Sequence, residues 1–379
     1  MWYDVAVDGG QSHLGYLESP DGIYWLRPHL VLDDPAKIIF GASVLDEGPG
    51  FHDPSRRYRL AWYNNGMMLA RSADGRQWTA DPARPVITGI NDILHVAKDP
   101  ARKRYVAVFG YPSQPEDGYK GKPHHAAEGY RRCVGQSTST NLLNWSPPRR
   151  IIKPDEKDEG MTEFYSIGGV IARGDLLIGL LKVLRDDLPC DADSPVEGIG
   201  YTSLVWSYDG ENWERDRAPF FDRSHDAGSW DHAMAWMDCQ LPVGNEVFIY
   251  YGGYARGHKV ERFTERQIGC VRMKRDRYVA READAEGHLR TRLIILAGAS
   301  LSVNVEADGG ELRAQLLDVH GKAMRGFSFA DCQPIRGNEL SAPLRWKKSL
   351  AEVNGKPLRL EFSLRHARLY GFELQNIQK

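Results

Sequence analysis

The 379-residue sequence predicts an all-β protein built from repeated strand units, and three observations carry that prediction. A Ser, a tight turn and a Trp recur along the chain. The segments between them are short and rich in β-branched and aromatic residues, with almost no helical periodicity. Near residue 286 the repeat stops and a different strand pattern begins.

The repeat reads Ser19-Pro20-Asp21-Gly22-Ile23-Tyr24-Trp25, Ser72-Ala73-Asp74-Gly75-Arg76-Gln77-Trp78 and Ser207-Tyr208-Asp209-Gly210-Glu211-Asn212-Trp213. A looser copy runs from Ser137 through Asn141-Leu142-Leu143-Asn144 to Trp145. Asp-Gly between β-rich runs signals a hairpin, because Gly accepts a positive φ and Asp bonds the backbone just ahead of it. The Trp positions lie 53, 67 and 68 residues apart (78−25, 145−78, 213−145). One hairpin at that spacing marks one four-stranded unit recurring, the sequence sign of a β-propeller.

Strand-like runs at 57–63, 103–110, 176–183 and 246–251 fit between the hairpins. The units fall at 1–36, 37–87, 88–152, 153–222 and 223–285, a five-bladed β-propeller over 1–285 whose last turn is Arg275-Asp276-Arg277. At ~3.3 Å per residue the first unit has room for about three strands, so its innermost strand is missing. The chain's other end, residues before Met1, or a second copy in a homo-oligomer would complete it. From 286 to 379, runs at 301–305, 312–317, 344–346, 358–364 and 369–374 are joined by turns such as Asp308-Gly309-Gly310 and His320-Gly321. This second region reads as a β-sandwich.

Composition narrows the partners. Net charge is −2 with both signs mixed, so neither a basic stripe for nucleic acid nor an acidic tail is present. No apolar run approaches the ~18 residues of a membrane span. The opening Met1-Trp2-Tyr3-Asp4 lacks the basic and apolar regions of a signal peptide, which predicts a cytoplasmic protein, or a secreted one if the chain begins earlier. Five cysteines (Cys133, Cys190, Cys239, Cys270, Cys332), odd in number and without C-x-x-C spacing, read as reduced thiols. The 10 Trp and 17 Tyr suit hairpin cores and sugar stacking alike.

In a propeller the innermost strands line a central funnel, where polar side chains face solvent or ligand. Carboxylates at the start of those strands are therefore the candidates: Asp92 in the third unit, Glu163 in the fourth and Asp231 in the fifth. Blade phase brings them together from far apart in sequence. Glycosidic cleavage needs such a set, one neutral carboxyl to protonate the leaving oxygen and one ionised base or nucleophile. Tyr130-Arg131-Arg132, Arg185-Asp186 and His258-Lys259 supply basic groups for gripping a substrate, with Tyr165, Trp230, His95 and His232 beside the acids. No ligand spacing demands a metal at Asp92, His95, Asp231 and His232, so neither metal nor cofactor is predicted. His124-His125, in a loop rich in Gly, Lys and Pro, reads as surface.

With these residues in place, the chain resembles the five-bladed propeller glycosidases of the clan containing glycoside hydrolase families 32, 43 and 68. It looks closest to uncharacterised bacterial family 32-like proteins with a trailing β-sandwich. The hairpins and blade-initial acids carry the resemblance, together with Met1-Trp2-Tyr3, residues 16–25, Ala330-Asp331-Cys332 and residues 368–372. It implies hydrolysis of a small or terminal, perhaps furanosidic, glycoside with a Glu as general acid. In those families an Asp, an Asp and a Glu come from the first three blades. Here the order is Asp92, Glu163, Asp231 from blades three to five. Two other readings stand beside it: a non-catalytic carbohydrate-binding propeller, and a scaffold whose funnel is filled or is blocked by the 112–130 loop.

Overall fold

A computed structural model describes residues 1–6, 11–191, 198–258, 260, 266–296, 298 and 300–375. Among these residues all regular structure is β-strand apart from short 3₁₀ turns. The chain divides into two compact units. The first comprises 1–241 and 248–271, and the second 242–247 and 272–379.

The first unit is a run of antiparallel meanders. The first contains β1 (Trp2–Ala6), β2 (Ser12–Glu18) and β3 (Leu26–Val31). The second contains β4 (Phe40–Asp46), β5 (Tyr58–Tyr63), β6 (Met67–Ser72) and β7 (Thr79–Ala80). The third contains β8 (Leu94–Asp99), β9 (Arg104–Pro112), β10 (Arg132–Ser139) and β11 (Arg149–Ile152). The fourth contains β12 (Thr162–Arg173), β13 (Leu176–Arg185), β14 (Ile199–Ser207) and β15 (Glu214–Arg215). The fifth contains β16 (Met234–Val243), β17 (Glu246–Tyr254) and β18 (Arg266–Lys274), joined to the fourth by one parallel bridge between Gly200 and Met234.

The repeated hairpin has one chemistry. In the second copy the Ser72 hydroxyl accepts the Gly75 N–H at 2.9 Å, and Asp74 Oδ1 accepts the N–H groups of Arg76 and Gln77, both at 2.9 Å. Asp21 and Asp209 do the same for the two residues after their glycines. Those backbone donors hold the three carboxyls below the usual carboxylate range. The looser copy is corrected by two residues: its serine is Ser139, which accepts the Asn141 N–H at 3.2 Å, and Ser137 is a buried strand residue. In that copy Leu142 takes the glycine position at φ +66°. A left-handed leucine costs about 1–2 kcal/mol. Burying its side chain among Ala61, Met67 and Leu69 offsets a cost of that size.

That packing belongs to a pattern in which each hairpin docks on the preceding meander. Trp2 Nε1 of the first donates to the Gly75 carbonyl of the second at 2.6 Å. Leu142 of the third packs on the second. Gln136 of the third donates to the Gly210 carbonyl of the fourth at 2.9 Å. The first meander's own hairpin docks on the fifth: Tyr250 donates to the Gly22 carbonyl at 2.8 Å, with Trp25 edge-on to its ring. In the first meander this hairpin joins the second and third strands, whereas in the next three it joins the third and fourth. The first meander therefore has its hairpin between its last two described strands, as the next three do, with one strand fewer before it.

In the second unit the described strands form one antiparallel sheet, β19 (Arg281–Arg290), β23 (Pro357–Gln375), β21 (Ser300–Leu317) and β22 (Ile335–Pro343), with β20 (Ile294–Ile295) paired to β23. A second, separate sheet is not seen among the described residues. β21 and β23 are long and bulged, and their inward residues, including Leu312, Leu316, Leu360 and Phe362, build a core of their own. β19 runs through residue 286, where the sequence pattern puts the boundary, and the compact units divide earlier, at 271/272.

Candidate active site

The three candidate acids lie near the starts of β8, β12 and β16. Asp92 lies two residues before β8, Glu163 is the second residue of β12, and Asp231 lies three before β16. Their surroundings differ sharply.

Glu163 has no exposed surface. Its Oε2 accepts the backbone N–H of Arg132 at 3.2 Å and lies 3.4 Å from His125 Nε2. Its Oε1 is buried and has no hydrogen-bond partner among the described residues. Burial, reinforced by the nearby Asp186 carboxylate, pushes its carboxyl up to about 7. The Arg132 N–H and the charges of Arg132 and Arg131 oppose this and do not overcome it.

Arg132 joins two of the acids. Its backbone bonds Glu163, and its Nη1 donates to Asp92 Oδ1 at 2.6 Å. The guanidinium lies 4.5 Å over the Tyr165 ring, and its buried Nε has no partner among the described residues. Tyr165 bonds His258 Nδ1 through its hydroxyl at 3.3 Å and packs on Trp236. Asp92, Arg132, Glu163, Tyr165 and His258 thus form one cluster, drawn from the third, fourth and fifth meanders.

The remaining candidates are engaged elsewhere. Asp231 accepts from Ser229 Oγ at 2.5 Å and from the Tyr251 hydroxyl at 3.0 Å, so both its oxygens brace the fifth meander. Trp230 stacks on the same Tyr251. Arg131 is buried with its guanidinium on the carbonyls of Lys120, Gly121 and Tyr130. Arg185 turns to Asp187 and Glu159. His232 pairs with Asp191 at 2.7 Å. His95 accepts the Val170 N–H at 3.2 Å, and burial holds it down at about 4. Lys259 lies outside the described residues.

The sequence pattern takes Arg185-Asp186 together, and the fold separates them. Asp186 follows β13, whose register sets Arg185 opposite Thr162, and so lands fully buried beside Glu163 while its neighbour Arg185 points away. Of the pair read as surface, His124 keeps an exposed side chain and His125 does not. The loop between β9 and β10 folds inward, so that the His124 N–H donates to Asp186 Oδ2 at 2.6 Å and His125 is nearly buried against Glu163. Glycines and lysines mark this loop as exposed, and only the long-range contact with two buried carboxylates shows otherwise.

His125, Glu163 and Asp186 each offer a donor atom, all within 4.8 Å of one another, an arrangement that holds a cation or a shared proton. Asp186 is also engaged by the N–H and ring of His124.

No protein-family model matches the sequence, and neither does any curated protein. Among solved structures the chain is similar to a GH130-family glycoside hydrolase that targets β-1,2-mannosidic linkages in Candida mannan, with 14% identity and a TM-score of 0.47 over 72% of this chain and 79% of that one. It is similar to a glycosyl hydrolase from Bacteroides ovatus, with 14% identity and a TM-score of 0.48 over 73% and 80% of the two chains. A GH32 β-fructofuranosidase from Bombyx mori matches at 12% identity and a TM-score of 0.43, over 99% and 88%.

Proposed function

We propose that this chain is a glycoside hydrolase with Glu163 as general acid and Asp92 as the second carboxylate, at the mouth of a five-bladed ring. The observation that carries the reading is Glu163 itself: a fully buried carboxyl, raised to about 7, with one oxygen that has no partner among the described residues. A buried polar atom without a partner calls for a functional explanation. A perturbed acid near neutrality is what leaving-group protonation uses.

The chemistry follows from the surroundings. Burial and Asp186 keep a proton on Glu163 for the leaving oxygen. Asp92, at the far end of the Arg132 side chain, activates water or attacks the sugar directly. Arg132 Nε and the Tyr165–His258 pair offer donors for sugar hydroxyls. Asp231 enters as a brace for the pocket wall rather than as a reacting group. The ring itself is supported by the docking pattern, because the first hairpin contacts the fifth meander as every later one contacts its predecessor. We read the second unit as the trailing sandwich.

The test is a panel of aryl furanosides and pyranosides, with Glu163→Gln and Asp92→Asn beside the parent protein. Turnover of one glycoside, lowered about 10²–10⁴-fold by each substitution, supports the assignment. A second reading, a carbohydrate-binding ring without catalysis, is favoured by the ion pair that occupies Asp92. Sugar binding that survives Glu163→Gln, with no glycoside turned over by the parent, would select it.

A further inference from the structure

We infer that His125 is a positioning residue that fixes which oxygen of Glu163 carries the proton. The inference rests on the reading of Glu163 as the acid and extends it to the loop above.

The loop is anchored at several points. Tyr119 donates to the Pro154 carbonyl at 2.6 Å, and the Gly121 N–H donates to Glu128 Oε1 at 2.7 Å. The Gly129 N–H donates to the Gly121 carbonyl at 3.0 Å, and Arg131 gathers three loop carbonyls. The His124 N–H fixes the next residue by holding Asp186. The His125 ring is then walled by Tyr130, Tyr165 and His258, with centroids 5.8, 6.0 and 6.4 Å away. Those walls restrict the imidazole, and its Nε2 stands 3.4 Å from Glu163 Oε2, a distance from which a small rotation of the ring brings an Nε2 proton into line.

Oε2 therefore faces two nitrogens, the Arg132 N–H and His125 Nε2, whereas Oε1 faces none among the described residues. With the His125 tautomer protonated at Nε2 and that small rotation made, both are donors, and Oε2 is held as the carbonyl oxygen. The proton then resides on Oε1, the oxygen free to deliver it. When Glu163 gives that proton to the leaving oxygen, the glycosidic C–O bond breaks and the new charge spreads to Oε2, where both donors already wait. His125 loses no proton in the step. The charged and titratable groups facing Glu163 include His125 and Tyr130 from the loop, Arg131 and Arg132 at the entry to β10, Asp186 after β13, and Tyr165 from its own strand.

The test is a leaving-group series on one sugar (alkyl, nitrophenyl and dinitrophenyl glycosides) with His125→Ala, His125→Gln and Glu163→Gln. Poor leaving groups need the acid and good ones do not. His125→Ala is expected to lower kcat on the alkyl glycoside by about 10–100-fold with KM within about twofold, a loss that shrinks to under about threefold on the dinitrophenyl glycoside. His125→Gln, whose amide still donates, recovers most of it. An equal loss across the series, or a raised KM with kcat unchanged, overturns the inference and makes the loop histidine a packing residue. If Glu163→Gln shows the leaving-group dependence and His125→Ala does not, only this inference fails. If neither shows it, the acid assignment fails first. Thermal unfolding of each variant separates misfolding from chemistry.

Discussion

Asp99 and Glu163 are both carboxylates with no exposed surface, on neighbouring meanders, and they differ in what meets them. Asp99 ends β8 with Arg102 Nη1 at 2.8 Å on one oxygen and Arg104 Nε at 3.1 Å on the other. Those arginines reach on to the Tyr208 and Gly210 carbonyls of the fourth meander's hairpin. Its charge is fully matched, and it works as a clamp between the third and fourth meanders. Glu163 has an N–H, an imidazole and another carboxylate, and its nearest guanidinium is bonded to Asp92 instead. A buried carboxylate gripped by cations holds structure together. One denied them keeps a proton and is available for chemistry.

The contrast breaks most visibly at Glu163. Glu163→Gln should lower turnover of the responsive glycoside about 10²–10⁴-fold, whereas a change at Asp99 leaves catalysis intact in whatever fraction stays folded. Next in size, Asp99→Ala should destabilise the first unit by about 3 kcal/mol in urea unfolding, because it removes the buried charge that two partly buried guanidiniums share and leaves Arg102 with backbone carbonyls alone. A loss under about 1 kcal/mol would mean that the clamp is ornamental.

Glu163→Gln should act in the opposite direction on stability. Its carboxyl is raised from 4.5 to about 7 on folding, so the folded state binds more protons than the unfolded chain between those values. The stability that the protonated form allows is complete below about 4.5 and lost as pH rises through about 7. At pH 8 the glutamine variant should be more stable than the parent by up to about 3 kcal/mol, and at pH 4 the two should coincide. The smallest effect belongs to the repeat: Asp74→Ala removes the acceptor for two backbone N–H groups and should cost about 1 kcal/mol without touching turnover.

These residues also show what a sequence reveals. The Asp-Gly hairpins set the strand phase, and phase alone put Asp92, Glu163 and Asp231 at the starts of β8, β12 and β16. In the third hairpin the sequence points to Ser137 rather than Ser139, because Asn141-Leu142 hides the Asp-Gly signal that fixes the serine's spacing. Leucine holds a glycine's backbone there only because the preceding meander buries its side chain, a fact that no local pattern carries. Asp231 looked equivalent to the other acids, yet hydroxyls from Ser229 and Tyr251 occupy it. Arg131 and Arg132 were indistinguishable as neighbours, and the loop carbonyls took one while Asp92 took the other. His125 and Asp186 reach Glu163 through long-range contacts, and composition pointed the wrong way for the first.

The most direct measurement needs no substrate. Carboxyl ¹³C NMR of glutamate-labelled protein, with Glu163→Gln to assign the resonance, follows the titration of this one side chain. The account predicts a midpoint near 7 for Glu163. A midpoint near the ordinary 4.5 would leave it ionised at neutral pH, and the proposed acid would have no proton to give.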